Sequence, residues 1–325
     1  LNRPKSAIEN YCEILNNLPD DMDSVTALES LYEQTEDWQA LCDNYGIKLQ
    51  HATTDEERRD ILRQTAIILE QKINAKDEAV QNYRQILDLF PRDEETLDAL
   101  DKLYQAQDDF DDLASVLQRK LEIHENDDQT NILRFRLGQI YQNKLDSMSQ
   151  AIEYYKAILE QNPEHEGANR SMRELLENED YKLEASKVLE FVYDRTEQYE
   201  FLAQVLEIQL EQEYDPMQQV QLLVRIACIH QDALSNYDAA FDDLARILKI
   251  NQDREYIDRI ESLCDILDNT AKLVDVYVEV VANVYEPEKQ VAFDNRIADL
   301  LRNRLGDEKR AEEFYKTTLE VSSDD

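Results

Sequence analysis

The stretch Ala7-Ile8-Glu9-Asn10-Tyr11-Cys12-Glu13-Ile14-Leu15 returns as Ala79-Val80-Gln81-Asn82-Tyr83-Arg84-Gln85-Ile86-Leu87 and again as Ala151-Ile152-Glu153-Tyr154-Tyr155-Lys156-Ala157-Ile158-Leu159. Fainter echoes open at Ala240 and Ala311, so the start-to-start spacings are 72, 72, 89 and 71 residues. Self-similarity at a nearly fixed period marks a repeat architecture, in which each unit buries its apolar face on its neighbours. A chain of 325 residues then need not split into domains with separate cores. The expectation is a single array over 1–325, with units starting near 7, 79, 151, 240 and 311.

Within a period the apolar residues recur at three- and four-residue steps, which predicts four amphipathic helices. In the first unit they are placed near 5–16, 23–34, 37–51 and 55–73. Over the whole chain this makes an all-α protein of about 17–19 helices. Leu28, Leu31 and Tyr32 of the second helix are matched by Leu100, Leu103 and Tyr104, and Trp38, Leu41 and Tyr45 of the third by Phe110, Leu113 and Leu117. Connections of two to six residues force sequential helices to pack antiparallel. Proline supports the register, because Pro19, Pro91 and Pro163 each fall twelve residues after a starting alanine, where a helix must stop. Pro216 and Pro287 follow Asp215 and Glu286, which suits an acidic cap with proline in the first helical turn. Asp55 and Asp127 hold the proline's place in the earlier units.

The spacing of 89 contains 17 residues beyond the period of 72. Tyr193, Tyr199 and Leu202 match Tyr104, Phe110 and Leu113 only when those residues are added, so the insertion lies within 164–192. Residues 176–190 are expected to supply the extra helical material, as a broken helix that keeps the up-and-down alternation.

The composition is helix-forming, with four glycines, six prolines and 42% apolar residues. Thirty-five Lys and Arg stand against 72 Asp and Glu, a formal charge of -37. That acidity argues against nucleic acid, whose phosphates need a basic surface, and against anionic lipid heads. No apolar run approaches the roughly 18 residues of a membrane span. Periodic apolar residues exclude general disorder, leaving the Ser322-Ser323-Asp324-Asp325 tail as the one unstructured candidate. Cys12, Cys42, Cys228 and Cys264 lack paired or zinc-type spacing and read as small core residues of a reducing compartment, which favours the cytoplasm. The pattern is already running at Leu1 and opens another unit near the end, so the chain reads as a segment of a longer protein.

From Leu137 to Pro163 the order Leu-Gly-x-x-Tyr, then Ala151, Tyr155, Ile158 and Pro163, resembles the tetratricopeptide repeat. Its small contact position is filled by Ala66, Gly138, Ala227 and Ala298 in successive copies, and the turn between paired helices is one residue longer than the family pattern. The likeness holds for the fourth helix of one unit with the first helix of the next. It fails for the intervening pair, where the small residue is replaced by Glu29, Asp101, Glu190 or Glu261. The array therefore resembles alternating regular and degenerate tetratricopeptide-like pairs. The resemblance implies a right-handed superhelix, an α-solenoid, whose concave face receives peptides or partner domains.

Catalytic frames are missing: the sequence has no glycine-rich phosphate loop, no nucleophile elbow and no dinucleotide fingerprint. His51, His124, His165 and His230 are scattered without a metal-binding frame, so no cofactor or metal is expected. His230 falls where sister copies have Leu69, Tyr141 and Leu301, and reads as a packed helical side chain. Asp20-Asp21 and Asp111-Asp112 read as solvated helix starts, and the acidic stripe Glu29, Asp101, Glu190, Glu261 as an exposed face or salt bridges to a neighbouring helix. Partner-binding candidates lie just beyond the small contact residue: Glu70 and Gln71, then Gln139, Gln142 and Asn143, then Gln231 and Asp232, then Arg302 and Asn303. Amides at such positions suit hydrogen bonding to a peptide backbone. A basic clamp for acidic carboxyl termini is absent, since the corresponding positions hold Arg63, Phe135, Val224 and Asn295. The resulting expectation is a non-enzymatic protein-interaction scaffold with a neutral to basic protein or peptide partner. A structural spacer or oligomerisation arm is the alternative, and an enzyme with an unrecognised site a third reading.

Overall fold

In the computed structural model, which describes residues 4–124 and 128–322, the first period folds as α1 (Pro4–Asn17), α2 (Met22–Thr35), α3 (Trp38–His51) and α4 (Asp55–Ile68). The predicted boundaries agree within a residue or so, except that α4 was expected to run unbroken to 73. Its last five residues, Leu69–Ile73, instead form a π-helix. The second period repeats the plan as α5 (Lys76–Leu89), α6 (Glu94–Gln107), α7 (Phe110–Ile123) and α8 (Asp128–Asn143). Then come α9 (Met148–Gln161), α10 (Glu166–Leu175), α11 (Lys182–Arg195), α12 (Tyr199–Glu211) and α13 (Pro216–Cys228). The series ends with α14 (Tyr237–Ile250), α15 (Arg254–Leu267), α16 (Thr270–Val281), α17 (Pro287–Leu300) and α18 (Glu308–Ser322). The described residues contain these 18 α-helices and no strand. Asp127 and the tail after Ser322 lie outside the described residues.

The boundaries follow from local chemistry. A helix start leaves backbone N–H groups without partners, and a side-chain oxygen placed just before it accepts from them, worth about 1 kcal/mol. Asp21, Asp37, Asp93, Asp109, Asp215, Asn236 and Asn269 do this for α2, α3, α6, α7, α13, α14 and α16. Thr54 and Glu57 form a reciprocal capping box on α4, with Asp55 as its first helical residue. His165 plays the same part for α10, its Nδ1 accepting from the Ala168 amide at 3.1 Å. Pro216 and Pro287 occupy first-turn positions of α13 and α17.

The chain forms two compact units, Leu1–Tyr154 and Tyr155–Asp325. In the first, every helix from α1 to α8 packs on the next in sequence; in the second the same holds from α10 to α18. Helices joined by so few residues and stacked one after another make an all-α solenoid of helix pairs. The predicted apolar positions are the core: Leu28, Leu41, Tyr45, Leu100, Leu113 and Leu117 are buried, as are the alanines Ala66, Ala79, Ala227, Ala240 and Ala298 where helices approach closely.

The 17 inserted residues appear as one whole additional helix, not as the broken helix expected to keep the alternation. Residues 176–190 were expected to provide it, but 176–181 are turn, and Lys182–Arg195 is the second helix of its period, carrying Tyr193 in the place of Tyr32 and Tyr104. The added helix lies upstream, at α10. Its buried Ala168, Asn169, Met172 and Leu175 stand in the same order and spacing as Ala185, Ser186, Leu189 and Val192 of α11. The second-helix pattern therefore occurs twice in succession.

Candidate functional site

The end of the fourth helix is the most distinctive local structure of the repeat. Π-helical turns cover Leu69–Ile73, Ile229–Ala233 and Leu301–Leu305. Each is followed by a backbone bond reaching over six residues, Ala75 N to Leu69 O (2.8 Å), Asn236 N to His230 O (2.7 Å) and Asp307 N to Leu301 O (2.9 Å). Ser147 N reaches Tyr141 O (2.9 Å) at the end of α8 in the same manner. Between them Asn74, Asp146, Ser235 and Gly306 take positive φ angles of 61°, 48°, 51° and 67°. The widened turn absorbs the one residue by which this turn exceeds the tetratricopeptide pattern.

Six of the nine candidate residues belong to these π turns: Glu70 and Gln71, Gln231 and Asp232, Arg302 and Asn303. Gln139, Gln142 and Asn143 lie on the last turns of α8. Gln71, Gln139, Asn143, Asp232, Arg302 and Asn303 are exposed, whereas Glu70, Gln142 and Gln231 are half-buried. The half-buried ones are engaged within the fold. Glu70 accepts from the Tyr83 hydroxyl (3.4 Å), and burial together with that carboxylate pushes the Tyr83 phenol up to about 12. Gln231 accepts from Arg259 (3.5 Å). Next to Asn303 lies a shallow groove of about 280 Å³ lined by Glu261, Asp265, Arg296, Asp299 and Arg304.

The acidic stripe is a set of ion pairs that tie the second helix of a period to the third and fourth. Glu29 meets Lys48 (2.8 Å) and accepts from the Tyr45 hydroxyl (3.1 Å). Asp101 holds Arg136 through two bonds of 2.9 and 2.8 Å and Lys120 at 3.2 Å. Glu190 takes Gln209 (2.8 Å) and Arg225 (2.7 Å), and Glu261 takes Tyr277 (2.9 Å) and Arg296 (2.5 Å). Asp101 is 7% exposed. Burial by itself raises its carboxyl, but the bonds and charge of Arg136, with Lys120, hold it below the usual carboxylate range. The acidic half of each pair stood out in the sequence. Its cationic partner did not, although Arg136, Arg225 and Arg296 recur at the repeat spacing.

Other candidates resolve into packing. His230 Nδ1 lies 2.7 Å from Asp243, which is 4% exposed and also meets Arg246. Burial lifts the Asp243 carboxyl above its ordinary range despite the histidine. The sister slot holds stacked Tyr141 and Tyr154, their ring centroids 5.7 Å apart. Arg63 is committed to Asp93 (2.6 Å) and Glu95 (2.7 Å). The four thiols are unpaired, and Cys42 is pushed up to about 11, chiefly by burial. A groove between the second, third and fourth helices recurs with the period: one copy of about 390 Å³ includes Met22, Lys48, His51, Asp60 and Gln64, and the other, about 480 Å³, includes Glu94, Lys120, Ile123, Ile132 and Arg136. Among the described residues no helix is long and apolar enough to cross a membrane.

Two family models match the chain, both described as tetratricopeptide repeats, over residues 96–130 and 133–165; the first covers the α6–α7 pair, so the likeness extends to a pair that Asp101 was expected to exclude. Among solved structures, a tetratricopeptide repeat protein from Parabacteroides merdae is 14% identical, with 80% of this chain and 91% of that chain covered and a TM-score of 0.32. A Naa15/Naa10 complex bound to HypK-THB is 12% identical over 94% of this chain and 49% of that one, TM-score 0.33. The C-terminal part of a repeat-containing protein from Cytophaga hutchinsonii is 14% identical over 78% and 93%, TM-score 0.31. No curated protein matches. Overlaps this low carry no weight, and the fold stands on the helices themselves. The stacked pairs and the two matched repeats define a helical repeat protein of tetratricopeptide-like type. Repeats of this type mediate contacts between proteins and are typically non-enzymatic.

Proposed function

We propose that the chain is a non-enzymatic scaffold whose two compact units each hold a neutral to basic protein segment at the ends of their fourth helices, on the concave side that the family resemblance implies. The observation that carries this reading is recurrence. Exposed polar side chains stand at one station of the repeat in successive copies, Gln71, Asn143, Asp232 and Asn303, with Gln139 and Arg302 exposed close by in sequence. Within each unit, a station that recurs on successive fourth helices offers a peptide backbone donors and acceptors. The charge of -37 sets the sign of the partner, since a field of that sign draws in basic segments and repels acidic ones. Four unpaired thiols suit a reducing compartment such as the cytoplasm.

The test is capture of partners by the purified chain, beside a variant carrying Gln139→Ala, Asn143→Ala, Asp232→Ala and Asn303→Ala. The expected result is a partner retained at about 0.1 M salt, lost by the variant, and released as salt approaches about 0.5 M, where screening shortens to a few ångströms. Equal retention by the variant, or capture that strengthens with salt, overturns the reading.

A further inference from the structure

Two loops of the second compact unit are built alike, and each pushes one tyrosine into solvent. Tyr214, between α12 and α13, is 85% exposed, and Tyr285, between α16 and α17, is 90% exposed. The backbone beneath each is pinned. Asp215-Pro216 and Glu286-Pro287 follow the tyrosines, and the two acidic caps share one conformation, φ -79° and ψ 117° against φ -82° and ψ 115°. In both loops a glutamine from the first turns of the next helix closes back on the carbonyl preceding the tyrosine. Gln219 Nε2 donates to Glu213 O at 2.6 Å, and Gln290 Nε2 donates to Val284 O. The turn does not require an aromatic, because the first unit builds it from Thr53 and Thr54 with a capping box. What results is a ring with little packing on a backbone already ordered, so a partner fixes only the side-chain torsions when it binds.

The surroundings give the chemistry of that partner. Glu211, Glu213 and Asp215 flank Tyr214 in sequence, and Glu286 and Glu288 flank Tyr285, where Lys289 is paired with Glu286 at 2.9 Å. An exposed ring ringed by carboxylates selects a guanidinium, which stacks on the face and bonds the acid at the same time. Helices α13 and α17 are two helix pairs apart in sequence, so with about 10 Å for each stacked pair the separation of the two loops is on the order of 20 Å. That separation is the length of about six extended residues. We propose that this loop edge docks an extended segment of a partner protein bearing two arginines about six residues apart, one on each tyrosine. The edge is at the opposite end of α13 and α17 from the π turns, so it stands apart from the surface proposed above.

The probe is a synthetic peptide with two arginines separated by five alanine or serine residues, titrated into the full chain with its tyrosine rings isotopically labelled for NMR. Tyr214→Ala and Tyr285→Ala assign the two exposed signals. Both should move with peptide, and those of buried Tyr155 and Tyr277 should stay. Affinity should fall about threefold to fivefold for each single variant and at least tenfold for the pair. Replacing arginine by citrulline should abolish the shifts. The variant carrying Gln139→Ala, Asn143→Ala, Asp232→Ala and Asn303→Ala should leave them intact, which separates this proposal from the previous one. Stationary Tyr214 and Tyr285 signals at millimolar peptide, or equal binding by the citrulline peptide, overturn it. Dimers seen by sedimentation that dissolve in the double variant also overturn it, assigning the rings to contact between copies of the chain.

Discussion

At the scale of single residues, Asp101 shows how a position that breaks the repeat rule becomes a structural one. A small contact residue is replaced by an acid, and the acid is buried against Arg136 and Lys120. Removing its charge takes the carboxylate from Arg136 and one of two from Lys120, which also meets Asp98 at 2.7 Å, so Asp101→Asn should destabilise the chain by about 2 kcal/mol near neutral pH. The pH dependence has a definite sign. The folded-state carboxyl lies below its unfolded value, so its contribution is present above about pH 4 and is lost as pH falls through the lowered folded value. The gap in urea midpoint between wild type and Asp101→Asn should therefore be full at pH 7 and close as pH drops below about 4. A gap that stays constant down to pH 3 would show that the ion pairs do not carry the effect. The acidic member of each set was legible in sequence because it recurs on one helix. Its partners sit on two other helices, 19 and 35 positions away, and only folding brings them together.

At the scale of elements, each period spends two left-handed residues, one after the second helix and one after the fourth. Glu36, Asp108, Glu197 and Asp268 take the first place, and Asn74, Asp146, Ser235 and Gly306 the second. Only Gly306 is free of the steric cost that a side chain adds at positive φ. Ser235→Gly should accordingly stabilise the chain by about 0.5 kcal/mol, read as a later thermal or denaturant midpoint, while Gly306→Ser should do the reverse. These turns explain where sequence reading stopped. Helix existence, order and most boundaries follow from apolar spacing, caps and prolines, which are local. The π turns do not, because the residues Leu69–Ile73 keep helical composition and only the six-residue backbone bond reveals the change. The exposed tyrosines were equally hidden, since the periodicity that betrays buried positions says nothing about a ring left in water.

At the scale of the whole molecule, net charge and the repeat plan are legible in the sequence, and the insertion is bracketed by the offset of Tyr193, Tyr199 and Leu202. The added helix itself is misplaced to 176–190 on sequence alone, because the apolar spacing of α10 and α11 is alike. Helices α10 and α11 carry one burial pattern with a displacement of 17, from Ala168 to Ala185 and from Met172 to Leu189. Four buried positions of α10 are thus repeated in α11. Excising residues 166–182 joins His165 to Leu183 and sets Ala185 three residues after the capping histidine, where Ala168 now stands. The shortened chain should express as a helical, cooperatively melting protein whose five units all follow at 72 or 71, whereas excision of any other 17 residues between 183 and 230 should cost the fold. In that sense the chain records a splice point, a place where one helix can be added to or withdrawn from the stack without disturbing the grammar of the rest.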